Sequence, residues 1–350
     1  MKKLLSLSLV LVMLLSVAVV GASAASPEDF SDIPDDWSRE GIISAVENGL
    51  LYGTDGKILP NDNLTRAQLA AIINRALNAK VMADVSGFTD VPAGAWFYED
   101  IAKAVQAGTF GGDGNKMRPN DPITREETFV VLARAFLFPD GSVSGLNTYT
   151  DAGSVSEWAK NGVSALVGEG YVKGDNNNRI NPKSNITRAE FATIMHRLVS
   201  EYISEPAEIT EVTGDNVMIN VADVTLKDVT INGNLYIGDG VGDGDVTLSG
   251  VTVSGRLAIR CAGADSIKII GNSNIGTIII SRRDGIVRVY VEDGSEIEVV
   301  YIEDGSGDII FEGSADSMII EGEDVTVGLR NGSINVATIN GKNSRIIVEE

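Results

Sequence analysis

Three arginines and three tryptophans recur at matching intervals along the first two hundred residues. The arginines are Arg66, Arg125 and Arg188, and the tryptophans are Trp37, Trp96 and Trp158. Arginine presents a planar fork of N–H donors that can hold a carboxylate through two parallel hydrogen bonds. An indole face can stack on a sugar ring, although each tryptophan could instead form the core of its own repeat. The two residue types together could bind an acidic sugar.

Further landmarks follow the same spacing and define a threefold repeat. An aromatic residue, a hydroxyl residue and an aspartate open each unit, and a proline stands six residues before each of the three arginines. These landmarks are Phe30-Ser31-Asp32, Phe88-Thr89-Asp90 and Tyr149-Thr150-Asp151, with Pro60, Pro119 and Pro182. The intervals are 59 and 62 residues for the tryptophans, and 59 and 63 for the arginines. Such self-similarity is the sequence signature of a repeat architecture.

Local signals predict two helices in each unit. Trp37 to Asn48 reads as a helix that ends at Gly49, and a loop rich in glycine and aspartate follows. The second helix opens on Thr-Arg-Ala-Gln, Thr-Arg-Glu-Glu or Thr-Arg-Ala-Glu, which all fit a capping box. Apolar residues then recur on one helix face, as at Leu69, Ile72 and Ile73.

The capping box leaves the arginine at its second position unexplained. The first turn of a helix favours acidic residues, because the helix dipole is positive there. An arginine at this place in all three units therefore requires a separate reason. Two remain open: it binds an anionic ligand, or it pairs with the aspartate that opens the repeat.

In this order of landmarks, residues 28 to 200 resemble three tandem S-layer homology domains. The resemblance implies a pseudo-threefold helical assembly whose grooves bind secondary cell-wall polysaccharide attached to peptidoglycan, often carrying a pyruvate ketal. It assigns binding to the motif arginines and tryptophans, and to further residues in the openings and loops. Those further residues are Asp32, Asp90, Asp151, Gly53, Gly112, Gly174, Asp55, Asp113 and Asp175. Backbone amides at the helix N-termini would add affinity for an anion. Gln68 and Glu126 depart from the pattern, which has glutamate and alanine there, so the grooves are expected to differ in affinity.

The N-terminus has the pattern of a signal peptide, expected over residues 1–25. Lys2 and Lys3 precede an apolar run from Leu4 to Val20, and Ala22-Ser23-Ala24 offers a cleavage site. A retained membrane anchor is the alternative. No later stretch is long and apolar enough to span a bilayer. We therefore expect a secreted protein held non-covalently at the cell wall, in the surface layer.

Composition excludes several other functions. The formal net charge of −21 disfavours binding to nucleic acid. One cysteine, Cys261, allows no intrachain disulfide, and one histidine allows no histidine cluster for a metal. We expect no catalytic residues, no metal site and no cofactor in this chain.

A second domain is expected from about residue 207 to 350, after repeats at 26–80, 84–140 and 147–203. Beyond Pro206 there is no proline or tryptophan, and runs of valine and isoleucine recur about every 22 residues. Val224-Thr225-Leu226 aligns with Val246-Thr247-Leu248, for example. Short alternating strands at this spacing predict a parallel β-helix or similar solenoid. A β-sandwich is the competing fold.

The function of this second half stays open between three hypotheses. The favoured one is a non-catalytic structural domain, which could also self-associate. The second is an enzyme acting on acidic polysaccharide through Arg282-Arg283-Asp284, and the third is a carbohydrate-binding adhesin. The acidic turn from Gly238 to Asp245 could bind calcium, although an ordinary turn explains it better because the EF-hand's closing glutamate is missing. Cys261 is expected to be a small buried thiol.

Overall fold

The computed structural model describes residues 25–139, 143–261, 263, 267–283, 285–303 and 306–349. The predicted signal peptide lies outside this set except for Ala25. Within it, no helix combines the length and the apolar character needed to cross a membrane.

The N-terminal half is helical and contains two main helices per repeat. They are α1 (Arg39–Glu47), α2 (Arg66–Leu77), α3 (Tyr98–Gln106), α4 (Arg125–Ala135), α5 (Lys160–Gly168) and α6 (Arg188–Leu198). Shorter 3-10 turns occupy Pro27–Asp29, Val143–Thr148, Ala152–Ser154 and Glu157–Ala159. The predicted capping boxes are present: Thr65, Thr124 and Thr187 each accept a hydrogen bond from the third amide of their helix. The helix pairs form between repeats, with α1 on α6, α3 on α2 and α5 on α4.

A ring of backbone hydrogen bonds closes the three repeats on one another. The amide of Leu64 donates to the carbonyl of Ile186 at 3.1 Å, and the amide of Ile186 donates to Ile123 at 3.1 Å. The amide of Ile123 donates back to Leu64 at 2.9 Å. All three side chains are fully buried. This cyclic exchange is the expected pseudo-threefold arrangement, and each repeat depends on both neighbours for its hydrogen bonds.

The C-terminal half forms two parallel sheets. Their strands are β1 (Glu201–Ile203), β2 (Glu208–Ile209), β3 (Val217–Ile219), β4 (Val224–Lys227), β5 (Thr230–Ile231), β6 (Leu235–Ile237), β7 (Val246–Ser249), β8 (Thr252–Ile259), β9 (Ile267–Ile270), β10 (Asn274–Ile280), β11 (Val287–Val291), β12 (Glu296–Ile302), β13 (Ile309–Glu312), β14 (Ala315–Ile320), β15 (Thr326–Arg330), β16 (Ile334–Ile339) and β17 (Arg345–Glu349). One sheet runs β1-β3-β6-β8-β10-β12-β14-β16, with β5 also on β8, and the other β17-β15-β13-β11-β9-β7-β4-β2. The chain alternates between the sheets, so the domain is a solenoid.

Strand register confirms the solenoid and the predicted alignment. Val224 pairs with Val246, and Leu226 with Leu248, which is the predicted offset of 22. Every pairing between named strands of the described residues is parallel, so the β-sandwich alternative is wrong. The expected constant period does not persist: Ile302 pairs with Ile320, an offset of 18. The later rungs have shorter turns between the same two sheets.

The acidic turn from Gly238 to Asp245 forms ion pairs with later rungs. Asp239 contacts Arg260 at 2.8 Å, and Asp243 contacts Arg282 at 2.8 Å. Asp245 contacts Lys268 at 2.6 Å. Three of the turn's carboxylates thus neutralise three separate cations and do not converge on one point. Cys261 is buried, and burial raises the pKa of its thiol.

The solenoid packs directly on the helical repeats. One outward-facing column of its first sheet is apolar and buried: Met218, Tyr236, Ala258 and Ile279 are paired in successive rungs and join the core of the helical half. Arg256 stacks on the ring of Phe138 at 3.9 Å and pairs with Glu169 at 2.9 Å. Glu201–Ile203, expected within repeat three, forms the first strand of the solenoid.

Candidate functional site

Surface grooves lie at two of the three places where the second helix of one repeat packs against the first helix of the next. Groove A lies between α4 and α5 and groove B between α6 and α1, and we call the equivalent position between α2 and α3 groove C. Groove A has a volume of about 490 Å³ and groove B about 470 Å³. Each of these two grooves is lined by all three repeats: one supplies a tryptophan, a second supplies the motif arginine, and the third supplies a loop.

The tryptophans are exposed, so the alternative that each forms the core of its repeat is wrong. Trp37, Trp96 and Trp158 have 64%, 63% and 59% of their surface exposed. Trp158 lines groove A and Trp37 lines groove B. Trp96 stands just before α3, the equivalent position for groove C. An exposed indole at each groove provides a flat apolar face for a sugar ring.

The motif arginines reach across repeat boundaries. Arg66 of repeat one donates from Nε to the carbonyl of Met117 at 2.8 Å and from Nη2 to that of Gly111 at 3.2 Å. Its Nη1 contacts Glu127, the capping-box glutamate of repeat two, at 3.1 Å. The repeat-two arginine, Arg125, makes the same contacts with repeat three, to the carbonyl of Ile180 and the carboxylate of Glu190.

Arg188 completes the cycle on repeat one, donating to the carbonyls of Ile58 at 2.6 Å and Tyr52 at 2.7 Å. Each motif arginine therefore bonds to the loop of the neighbouring repeat. The alternative prediction, a pair with the aspartate that opens the repeat, is wrong. Because Arg66 already uses three of its five N–H donors in this way, its fork is not free to hold a carboxylate by itself.

The opening aspartates stabilise the loop of their own repeat. Asp32 accepts hydrogen bonds from the amides of Ile58 and Leu59 at 2.7 and 2.9 Å. Asp90 and Asp151 hold the corresponding pairs of amides in repeats two and three. For Asp90, burial opposes the charge, but the two amides outweigh it and lower the pKa of its carboxyl. These three acids lie at the base of the loops, where both carboxylate oxygens are occupied by backbone.

The N-terminal amides of the second helices are also occupied, contrary to the expected anion site. The amide of Arg66 donates to the carbonyl of Asp121, and that of Ala67 donates to Pro119. The third amide of the helix donates to the capping threonine. The same contacts recur at α4 and α6. Carbonyl oxygens from the neighbouring repeat therefore complement the positive end of each helix, and they also help to accommodate the arginine there.

The loop glycines make room for the opening aromatic ring. A β-carbon at Gly53 would lie 2.2 Å from Cε1 of Phe30, and one at Gly112 would lie 2.5 Å from Cε1 of Phe88. At Gly174 the contact would be with Tyr149, at 2.7 Å. These glycines shape the loop through close packing. Gly112 and Gly174 also line grooves A and B.

One of the three predicted loop acids is out of register. Asp113 exchanges backbone hydrogen bonds with Lys116, and the residue that does so with Lys57 in repeat one is Thr54. Asp55 comes one position later and adopts a left-handed conformation with φ 51°. Thr54 is therefore the counterpart of Asp113, and the predicted equivalence of Asp55 with Asp113 and Asp175 is wrong. Asp113 and Asp175 line grooves A and B.

Electrostatically, grooves A and B carry a surplus of positive charge in an acidic protein. Three basic and two acidic side chains line each of them. Burial lowers the pKa of Arg66, and the carboxylate of Glu127 opposes that shift. Burial would raise the pKa of Glu127, but hydrogen bonds from Thr124 and the charge of Arg66 lower it overall. The pair therefore stays ionised near neutral pH.

A second set of arginines went unnoticed in the sequence, although it follows the same spacing. Arg75, Arg134 and Arg197 each stand nine residues after a motif arginine. Arg134 lines groove A and Arg197 lines groove B. Arg75 lies over the ring of Tyr52 at 4.5 Å beside groove C. The signal that could have identified them is their spacing of 59 and 63 residues, which equals that of the motif arginines.

The two departures from the repeat pattern have separate consequences. Gln68 replaces the capping glutamate beside groove C, so Arg188 has no carboxylate there to pair with. Glu126 is buried, and accepts a hydrogen bond from the amide of Ser156 at 2.9 Å while pairing with Lys183. Gln68 thus changes the charge of a groove, whereas Glu126 joins repeats two and three.

Comparison with known proteins identifies the helical half. The S-layer homology domain model matches residues 29–70, 87–129 and 148–192. This chain therefore carries three S-layer homology domains followed by a parallel β-solenoid. Together with the S-layer relatives described next, they indicate a location at the cell surface.

Relatives include both S-layer proteins and enzymes. An amylopullulanase of Thermoanaerobacterium thermosulfurigenes is 38% identical over 177 residues, which are 49% of this chain and 10% of that protein. The surface-layer 125 kDa protein of Lysinibacillus sphaericus is 33% identical over 224 residues, 62% of this chain and 19% of that protein. An S-layer protein of Bacillus thuringiensis subsp. finitimus is 30% identical over 55% of this chain and 24% of its own length. The chain spans no more than a quarter of these three relatives.

Proposed function

We propose that this protein is a non-covalent cell-wall anchor whose grooves bind secondary cell-wall polysaccharide, and that its solenoid is a structural, non-catalytic domain. The observation that carries the proposal is the pairing of an exposed tryptophan with a net positive groove lining. A sugar ring can stack on the indole while an acidic substituent, such as a pyruvate ketal, meets the basic side chains. Both features are present in grooves A and B.

The motif arginines support binding in a way that differs from a free bidentate grip. Arg66 cross-links two repeats and keeps two N–H donors after its three structural bonds. Arg66 supplies positive charge and its remaining N–H donors to groove A, and Arg118 and Arg134 line the same groove with two further positive charges. An anionic sugar substituent would therefore be held by several cations and not by one fork.

Contacts of Arg282 favour a structural solenoid over the alternative enzyme. Arg282 is buried, pairs with Asp243 at 2.8 Å and donates to the carbonyl of Ile286. Arg283 lies against Gly108 of the helical half, and Asp284 lies outside the described residues. These contacts join rungs of the solenoid and bury Arg282, whereas a catalytic cation would have to be accessible to substrate.

Co-sedimentation with purified cell-wall sacculi tests the anchor. We expect the full chain to sediment with untreated sacculi and to stay in solution once hydrofluoric acid has removed the wall polysaccharide. Peptidoglycan remains after that treatment, so equal binding to treated and untreated sacculi would show that the ligand is peptidoglycan and would contradict the proposal.

A further inference from the structure

A separate cleft lies between the helical half and the solenoid. It has a volume of about 640 Å³, and residues of both domains line it. The solenoid supplies Arg260, Ser281, Arg283 and Glu303, and the helical half supplies the rest, including Arg134, Phe138, Trp158 and Asn161. A cleft of this size is in the range of ligand-binding pockets.

The cleft is basic although the protein is strongly acidic. Three arginines line it, and Glu303 is its single carboxylate among the described lining residues. Neither Arg134 nor Arg283 forms an ion pair with a carboxylate in the described ranges. Burial lowers the pKa of Arg134, and the nearby charge of Arg283 lowers it further. Two guanidinium groups thus repel each other across this cleft, an arrangement that an anion would relieve.

Specific contacts hold the wall of the cleft in place. Arg260 pairs with Asp239 and donates to the carbonyls of Ala107 at 2.7 Å and Arg134 at 3.2 Å. These carbonyls belong to the C-terminal ends of α3 and α4, where positive charge is favoured. The guanidinium of Arg283 lies so close to Gly108 that a β-carbon there would approach its Nε to 2.4 Å. The solenoid arginines are therefore positioned by the helical half.

The cleft is continuous with groove A. Both are lined by Phe110, Val130, Arg134 and Trp158. Trp158 therefore stands at the boundary between them, with its indole exposed to both. Groove B has no solenoid residue in its described lining. The solenoid thus extends one of the grooves and breaks the pseudo-threefold equivalence of the repeats.

We propose that this interdomain cleft is an additional glycan subsite, which takes the next acidic sugars of a polysaccharide strand already bound in groove A. The proposal rests on the anchoring function proposed above. Its ligand is a polyanionic glycan whose substituents, carboxylate or phosphate, lie between Arg134 and Arg283. The solenoid would then contact the wall polysaccharide directly, in addition to being held at the wall by the helical half.

The test compares wall-polysaccharide fragments of one repeating unit with fragments of several units, using the full chain in calorimetric titrations. The wild type is expected to bind the longer fragments more tightly than the single unit. Arg283→Ala should weaken binding of the longer fragments by about tenfold, as expected for one charge-assisted contact. It should leave the single-unit affinity unchanged. Arg345→Ala is the matched control, because it removes the same charge from an exposed solenoid position in the last strand.

Outcomes separate this proposal from the anchoring function. If single units bind but affinity does not rise with length, the cleft proposal is wrong and the anchor stands. The same holds if Arg283→Ala and Arg345→Ala weaken binding equally, because the effect would then be general charge attraction. If no fragment binds at all, the anchoring function itself is wrong. Fragments with their phosphates removed, compared with carboxyl-reduced fragments, identify which substituent the cleft recognises.

Discussion

At the residue scale, the motif arginine is a structural cross-link that also borders a groove. The sequence indicates that the capping box does not explain this residue, and that inference holds. It could not indicate the partner, because Met117 and Glu127 are distant in sequence from Arg66 and meet it only when the repeats close into a ring. The exposure of the tryptophans was likewise undecided, since an aromatic residue before a helix can pack inward or outward.

The cross-link makes a stability prediction. Arg66→Ala is expected to lower the free energy of unfolding by about 2 kcal/mol, because it leaves the carbonyl of the buried Met117 without its donor and leaves Glu127 with Arg118 as its remaining described cation. Arg39→Ala is the control; Arg39 is an exposed arginine on α1, and its loss should change stability by about 0.5 kcal/mol or less. Chemical denaturation followed by circular dichroism measures both. Equal stability of the two variants would contradict the cross-link.

This prediction also affects how binding variants are interpreted. Loss of wall binding in an arginine-to-alanine variant could result from a disrupted groove. Each tryptophan is more than half exposed and carries little of the fold. Substitution of the tryptophans therefore separates binding from folding better than substitution of the arginines.

At the element scale, the loops between the helices depend on close packing at single glycines. Gly112→Ala is expected to destabilise the protein by about 2 kcal/mol, because the new methyl group would overlap the Phe88 ring and the Lys116 carbonyl. Gly111→Ala is the matched control, since a β-carbon there meets nothing within 4 Å. Thermal denaturation of the two neighbouring variants measures the difference. If Gly111→Ala were the more damaging of the two, the packing role of Gly112 would be wrong.

The capping carboxylate of Glu127 and the opening aspartate Asp90 predict an acid-sensitive helical half. The folded-state pKa of Glu127 lies below its ordinary value of 4.5, and that of Asp90 lies below 3.8. Each therefore contributes its full stability above its ordinary pKa and loses it as the pH falls through the lowered, folded-state pKa. The midpoint of denaturation should fall steadily as the pH is lowered below about 4.5.

Repeat one provides the control for this pH dependence. Gln68 occupies the place of Glu127 there, and its side-chain oxygen accepts from the amide of Thr65 at 3.0 Å. Glu127→Gln should therefore keep the capping hydrogen bond and flatten the pH dependence below 4.5. An unchanged pH profile in this variant would show that another group causes the acid sensitivity.

The solenoid illustrates which features of an element the sequence can reveal. Its parallel register follows from the 22-residue recurrence of valine and isoleucine, which fixes the inward columns. The outward column of Met218, Tyr236, Ala258 and Ile279 was missed, although its members are 18, 22 and 21 residues apart and keep step with the inward residues of the same strands. Because outward positions are normally polar, an apolar outward column is a readable signal of a covered face.

At the scale of the whole molecule, the two halves share a core and form a joint cleft. The sequence predicts each half as a separate fold, and both folds are present. Their contact depends on residues that are far apart along the chain, such as Arg256 with Phe138 and Arg260 with Ala107. Local sequence patterns do not predict contacts between residues so far apart along the chain, so the interdomain cleft could be found only in the structure.

Binding of a tryptophan-free variant to sacculi tests the central claim most directly. The variant carries Trp37→Ala, Trp96→Ala and Trp158→Ala, and its thermal stability is measured beside the wild type. We expect stability close to that of the wild type, because the indoles are exposed, and binding to untreated sacculi reduced at least tenfold, because each groove loses its stacking face. A stable variant that binds sacculi as tightly as the wild type would contradict the assignment of wall binding to these grooves.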